Sequence, residues 1–247
     1  MTPAPPAIAA AELETTLRTQ GFAVLGPRGM SVLFQRPLSA LDALPEYWND
    51  LPPDTYLRDG GRYRRRRHAS FIVEGDTVRA VPHRAHWQPL EYNALHGGLE
   101  RWFEPISPAA VALPVWSQLL RSLARPCSAL KGVQRWHVEA HQFRIDTTDG
   151  IGRPTPEGAH RDGVDFVAVL LVARHAIKGG ETRVFETGGP RGVRFTMTEP
   201  WSVLLLDDER VIHESTPIQP IDPSAAPAGY RDTLVITLRA GSFLDAA

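Results

Sequence analysis

The chain of 247 residues, 43% hydrophobic and 22% charged, has ordinary globular composition and exceeds the size below which a hydrophobic core is hard to build. A formal net charge of -1 supplies no global field to draw nucleic acid or an anionic membrane. The one cysteine, Cys127, excludes an intramolecular disulfide and a cysteine-rich zinc site, which points to a cytoplasmic setting.

Barrels and sandwiches with helical additions reach this length undivided, so one domain over 1–247 is expected. Residues 1–10 are rich in Pro and Ala, lack the basic and apolar regions of a signal peptide, and read as a flexible lead-in. A helix is predicted over Ala11 to Gln20, stopped by Gly21 before the strand-like Phe22-Ala23-Val24-Leu25. A second helix is predicted over Ala40 to Asn49, ended by Pro52 and Pro53. Arg62 to Val81 reads as two strands around Gly75-Asp76. A third helix fits Ala109 to Ala124, before Pro126, and completes a helix-rich part over 11–125.

From Gly132 onward, short β-rich runs separated by Gly, Pro and Asp turns cover Val133 to Ile145, Val164 to Ala173, Thr182 to Glu186, Val193 to Thr198, Ser202 to Leu206, Val211 to His213 and Thr233 to Leu238. The longest apolar run, Phe166 to Ala173, is far short of the roughly 20 residues of a membrane helix. The expected fold is mainly β with flanking α-helices: an antiparallel jelly roll over 132–240 with helices packed on one outer face.

In His160-Arg161-Asp162 an imidazole and a carboxylate stand two residues apart, so in extended backbone both face one side and one cation can take both. His213, at the end of a short β run, is the best candidate for a third ligand. Two His and one carboxylate on a single octahedral face leave three positions open, the arrangement of Fe(II) oxygenases, where a bidentate 2-oxo acid and then O2 can bind. Structural zinc prefers four closed protein ligands instead. A bare H-x-D also arises by chance, and nine histidines make a later His unsurprising. The flank adds weight: Arg231 and Thr233 open the last strand on one face, as a distal carboxylate would require.

The run His160-Arg161-Asp162-Gly163-Val164-Asp165-Phe166, then Gly179-Gly180-Glu181-Thr182, then Asp207 to His213, then Gly229-Tyr230-Arg231-Asp232, resembles the bacterial 2-oxoglutarate/Fe(II) dioxygenase family that includes L-isoleucine 4-hydroxylase. Tyr63 to Arg67, Tyr92-Asn93 with Gly97-Gly98, and His141-Gln142-Phe143-Arg144 extend the likeness over roughly residues 55 to 240. The resemblance implies a double-stranded β-helix (cupin-like) fold, with Fe(II) held by His160, Asp162 and His213 as the catalytic centre. It also implies 2-oxoglutarate gripped by Arg231 and Thr233, O2 as oxidant, and hydroxylation of a free L-amino acid with release of succinate and CO2. The Pro/Ala-rich insert Ile221 to Ala228 matches less well and lies where a lid could shape the pocket.

For substrate contacts, Trp136, Val138 and Ala140 alternate as an apolar face, and that phase carries Gln142 and Arg144 inward toward the iron. Arg67 and Asp165 are further candidates, and an Arg144 paired with a loop acid is the competing reading. The basic run Arg62 to His68 alternates between two faces of a strand, which argues against a nucleic-acid stripe and leaves one face solvated and the other, including Arg65 or Arg67, toward the pocket or an acidic partner. Trp87, Tyr92, Trp102 and Phe103 read as core or pocket wall, and Cys127 as packing. The expected partner is a small molecule, with no nucleic acid or membrane; a homodimer, a peptidyl or biosynthetic substrate, and a non-catalytic cupin-like protein are alternatives.

Overall fold

Gly21 ends the first helix in the left-handed conformation (φ 78°) that its lack of a Cβ permits, and the chain turns at once into the first strand. The computed structural model describes residues 3–93, 95, 97–224 and 227–245. In chain order the helices and strands begin with α1 (Leu13–Gln20), β1 (Phe22–Leu25), α2 (Pro27–Phe34), β2 (Arg64–Glu74) and β3 (Thr77–Ala80). Next come α3 (Pro108–Ala112), α4 (Pro114–Lys131), β4 (Arg135–Asp146), β5 (Phe166–His175), β6 (Ile177–Gly179) and β7 (Thr182–Glu186). The last are β8 (Gly192–Phe195), β9 (Val203–Asp207), β10 (Val211–Ser215), β11 (Ile218–Pro220) and β12 (Tyr230–Arg239).

A large antiparallel sheet runs β1-β9-β5-β12-β4-β2-β3, and a smaller one, β10-β7-β8, with the β11-β6 pair beside it, faces it. This is the jelly-roll arrangement expected from the short, turn-separated strands. The helices cover the outer face of the large sheet. There Trp136, Val138 and Ala140 of β4, Leu234, Ile236 and Leu238 of β12, and Phe166, Ala168 and Leu170 of β5 bury against Trp116, Leu119, Leu120 and Leu123 of α4. Between the two sheets a second cluster, including Val167, Leu171, Val184, Phe195, Leu204 and Val211, closes one end. The other end stays open and polar.

Local departures from the expected elements have local causes. Residues 38–48 form two short 3-10 turns, Leu38–Leu41 and Pro45–Trp48, because Pro45 interrupts any α-helix through the segment. The helix Pro27–Phe34 carries Pro at its first position, where the missing N–H costs nothing. Helix α4 runs through Pro126 to Lys131 and stops at Gly132, while Cys127 packs fully buried against its neighbours. The lead-in is tied down: Ile8 N–H donates to Val24 O (3.0 Å) and Thr196 N–H to Pro3 O (3.1 Å). Of the sequence features singled out, Met1 and Thr2 of the lead-in and Ala225 and Ala226 of the Pro/Ala-rich insert lie outside the described residues. Among the described residues no helix is long and apolar enough to cross a membrane.

Candidate metal centre and cavity

Strand register sets the inner wall. Across β2, β4 and β12, Arg64, Ile145 and Arg231 form one row, and Arg66, Phe143 and Thr233 the next. His68, His141 and Val235, then Ser70, Glu139 and Thr237, complete the wall. Strand alternation points all of them at the smaller sheet. An open-mouthed cleft lies against this wall, lined also by His160, Asp162, His213, Ser215, Glu157, Gln88 and Arg101.

His160 and His213 face each other across a two-residue antiparallel bridge, exchanging N–H···O bonds of 3.0 and 2.9 Å, so their rings lie side by side with centroids 4.7 Å apart. Asp162, two residues on, brings Oδ1 to 4.0 Å from His160 Nε2 and Oδ2 to 3.8 Å from His213 Nε2. One donor atom from each of the three lies within 4.8 Å of the others. His160 Nδ1–H donates to Gly158 O (2.9 Å), which leaves Nε2 with its lone pair toward the carboxylate.

The turn carrying Asp162 is held from beneath by Asp208. Its carboxylate accepts the backbone N–H groups of Asp162 (3.0 Å), Gly163 (2.8 Å) and Val164 (3.2 Å). Gly163 has φ +78°, and a Cβ there would stand 2.4 Å from the Tyr92 ring. Both facts require glycine at this position. Burial, then the charge of Asp162, pushes the Asp208 carboxyl up to about 7. Burial likewise raises Asp162, and the Asp162 and Glu157 charges outweigh burial to raise His160. Two crowded carboxylates, Asp162 and Asp208, both raised by burial, describe a site short of a cation, and a divalent ion among these donors relieves it. Removing the support in Asp208→Ala strands three N–H groups. We expect a loss of at least ~1–3 kcal/mol of stability and ~10–100-fold in metal affinity, read by thermal melting and metal titration.

Deeper along the same wall Arg231 is buried with no carboxylate partner among the described residues. Its side-chain hydrogen bond is a long one, Nη1 to Ser215 Oγ at 3.5 Å, and Nε has no partner among the described residues. Burial first, and then Arg174 nearby, brings its pKa down to about 10. An unneutralised buried guanidinium, with Thr233 two residues on facing the same cavity, fits an anionic ligand.

The remaining sequence candidates lie elsewhere. Gln142 and Arg144 share the outer face of β4 with Trp136, Val138 and Ala140, because that apolar phase faces the helices and the polar phase faces the cleft. Gln142 reaches toward Tyr47 O (3.5 Å), and Arg144 pairs with Asp232 at 2.7 Å beneath the Tyr230 ring. Arg67 pairs with Glu104 (3.0 Å) on the outer face, and Arg65 with Asp146 (3.6 Å). Asp165 accepts Ala240 N–H (2.8 Å) and pairs with Lys131 (3.3 Å). Their neighbours in the opposite phase, Arg64 and Arg66, reach the cleft instead. Arg64 pairs with buried Asp54 (2.7 Å), whose carboxyl burial would raise but which Arg64 and Arg66 hold below its ordinary value. Phe103 forms wall with Arg66 stacked on it at 3.7 Å, whereas Trp102 is exposed.

Sequence reasoning missed Gln88, Arg101, Glu157, Asp208 and a second donor cluster. In that cluster His68, His86, Glu139 and His141 lie within 4.8 Å of one another. Glu139 accepts from His68 Nε2 (3.0 Å), His86 Nδ1 (3.2 Å) and Arg84 (3.3 Å), while Arg66 Nη2 donates to His141 Nδ1 (2.7 Å). Two guanidiniums already on these donors oppose a divalent cation, so the cluster is a hydrogen-bonded wall. Burial above all lowers the pKa of His68, of His86 (to about 3) and of His141. These rings stay neutral when folded but take up protons when unfolded below about pH 6.5, so unfolding binds protons and stability falls as pH drops below that value. We expect the melting temperature to decline from about pH 7 to pH 5, with a shallower slope in His141→Gln, which keeps an acceptor for Arg66.

Comparison with known proteins accords with this construction. The crystal structure of a bsmA homolog from Methylobium petroleophilum PM1 is 52% identical, with a TM-score of 0.93 covering all of this chain and 99% of that one. IDO from Bacillus thuringiensis shares the fold at 17% identity (TM-score 0.75, 97% of both chains). So does the Fe(II)/(alpha)ketoglutarate-dependent dioxygenase TqaL, at 19% identity (TM-score 0.70, 93% of this chain and 86% of that one). Among curated proteins none matches in sequence. Residues 45–237 match the 2OG-Fe dioxygenase family, a span that takes in the His/Asp/His cluster and the wall opposite it. On that match the chain belongs to the 2OG-Fe dioxygenase family and is an enzyme dependent on Fe(II), 2-oxoglutarate and O2.

Proposed function

We propose that this enzyme hydroxylates a free L-amino acid, with His160, Asp162 and His213 holding Fe(II) and Arg231 with Thr233 holding the distal carboxylate of 2-oxoglutarate. The observation that carries the substrate reading is a pair of oppositely charged side chains in one cleft, Arg101 and Glu157, each keeping a buried polar atom without a partner among the described residues. Arg101 is 2% exposed, donates Nη2–H to Gln88 Oε1 (2.8 Å), and has no carboxylate partner among the described residues. Glu157 keeps Oε2 buried without a hydrogen-bond partner among the described residues, its Oε1 3.6 Å from His160 Nε2. A zwitterion answers both, its carboxylate on Arg101 and its ammonium on Glu157, and each would otherwise be a costly buried charge.

Bound iron and 2-oxoglutarate supply the oxidation: the keto acid loses CO2 to give succinate, and one atom of O2 enters a substrate C–H bond. The chain's own residues supply position. Arg101 and Glu157 fix the head group, Arg66, stacked between Phe103 (3.7 Å) and Phe143 (4.4 Å), forms a stiff wall beside it, and the row of Thr233 and Val235 floors the keto-acid side. The L-isoleucine 4-hydroxylase likeness of the sequence motifs supports the same reading.

The test is mass spectrometry of the twenty protein L-amino acids incubated with enzyme, Fe(II) and 2-oxoglutarate. One or more should gain a single oxygen while its N-acetyl and carboxamide derivatives do not. Equal turnover of the blocked derivatives, or product from a peptide alone, would overturn the zwitterion reading.

A further inference from the structure

Gln88 occupies the gap between the substrate wall and the metal cluster, 4% exposed. Its Oε1 accepts from Arg101 Nη2 (2.8 Å) and Asn93 Nδ2 (3.2 Å), and its Nε2 donates to Asp162 Oδ1 (3.1 Å). The orientation is determined by chemistry. Guanidinium and carboxamide N–H groups can only donate, and a carboxylate can only accept, so a flipped Gln88 would face donors with donors and an acceptor with an acceptor. The chain Arg101–Gln88–Asp162 is thus a continuous, directional link from a cleft guanidinium to a carboxylate of the metal cluster. It assembles residues from segments 74 positions apart, held by the reciprocal His86–Arg101 backbone bonds (2.9 and 3.0 Å).

We propose that Gln88 is a positioning residue that keeps Asp162 a one-oxygen ligand and couples its orientation to the occupancy of Arg101 by the substrate carboxylate. The reading of the metal site and of Arg101 given above underlies this. With Oδ1 engaged by the carboxamide, Oδ2, the oxygen nearer His213, remains for the metal. A carboxylate released from that bond could close on the metal with both oxygens and take up a position that the keto acid and O2 need. A substrate carboxylate on Arg101, whose Nε has no partner among the described residues, draws on the same guanidinium that anchors Gln88 Oε1. Substrate arrival therefore alters the hydrogen bond on Asp162 without touching Asp162.

The variants Gln88→Met, close in shape but without hydrogen bonds, and Gln88→Glu, which keeps the acceptor for Arg101 and Asn93 but places a second carboxylate against Asp162, separate the two halves of the link. Circular dichroism and thermal melting first establish that each folds. Anaerobic Fe(II) titration by calorimetry, in the presence of 2-oxoglutarate, should then show affinity lowered by ~10–100-fold in both variants. The visible charge-transfer absorption of the iron-chelated keto acid should shift on adding a mixture of the twenty protein L-amino acids to wild-type protein, and should no longer shift in Gln88→Met. Succinate formed per hydroxylated product should rise above one in that variant. Wild-type Fe(II) affinity together with a wild-type spectral shift in Gln88→Met would overturn the proposal. Failure of the wild-type protein itself to bind Fe(II) with 2-oxoglutarate would instead sink the reading beneath it, so the two failures are distinguishable.

Discussion

Replacing Arg231 by Met is expected to weaken 2-oxoglutarate binding by roughly 30- to 1,000-fold while raising the melting temperature of the ligand-free protein. The two effects have one cause. Arg231 is buried without a carboxylate beside it among the described residues, and burial depresses its pKa to about 10, so the folded protein carries an uncompensated charge. A methionine of similar length fills the same space without that penalty, and exchanges of this kind are worth up to about 1–4 kcal/mol, or several degrees of melting temperature in a domain this size. A buried charge-assisted pair with the keto acid's distal carboxylate is worth about 2–4 kcal/mol once formed, which sets the expected loss in affinity. Calorimetric titration of 2-oxoglutarate and a thermal melt read the two halves. A guanidinium with a purely structural role would give the opposite pattern, lower melting temperature with unchanged affinity.

The second large effect is expected at Asp162. In Asp162→Ala the two imidazoles stay bridged through their backbones, so the fold around them persists, but the charge that balances a divalent cation is gone. We expect Fe(II) affinity to fall by more than the ~10–100-fold typical of losing a supporting residue, with hydroxylation and uncoupled succinate production disappearing together. Inductively coupled plasma mass spectrometry of the desalted protein reads the metal directly. Retention of one iron per chain in this variant would remove Asp162 from the ligand set.

What could be read from the sequence follows from how far apart the informative residues lie. His160 and Asp162 are near neighbours, so strand geometry alone puts them on one face, and Arg231 and Thr233 share a face for the same reason. The antiparallel texture after Gly132 likewise announces a sheet fold. Choosing which face of β4 looks inward is a different matter. The apolar phase of Trp136, Val138 and Ala140 suggested a pocket lining, but in this fold the helices claim that face and the cleft receives His141, Phe143 and Ile145. Gln142 and Arg144 went to the wrong side with it, and the same inversion on β2 exchanged Arg67 for Arg66. Asp208 and Gln88 act on Asp162 from 46 and 74 residues away, through hydrogen bonds that leave no pattern in the chain. Glu157 carried a faint signal, three residues before His160, that only its unsatisfied carboxylate in the cleft makes meaningful. The Arg62 to Arg67 run, conspicuous in sequence, resolves into separate ion pairs with Asp149, Asp54, Asp146 and Glu104 and a contact to His141, with no shared surface for a polyanion.

The proposed function rests on His160, Asp162 and His213 holding one ferrous ion and leaving room beside it for the keto acid and O2. The most direct measurement is anomalous diffraction from crystals grown anaerobically with Fe(II) and 2-oxoglutarate. The account predicts a single iron peak bounded by His160, Asp162 and His213, with the keto acid chelating it and its far carboxylate on Arg231. A peak among His68, His86, Glu139 and His141, a metal closed off by Glu157 as a fourth protein ligand, or 2-oxoglutarate bound away from Arg231 would contradict it.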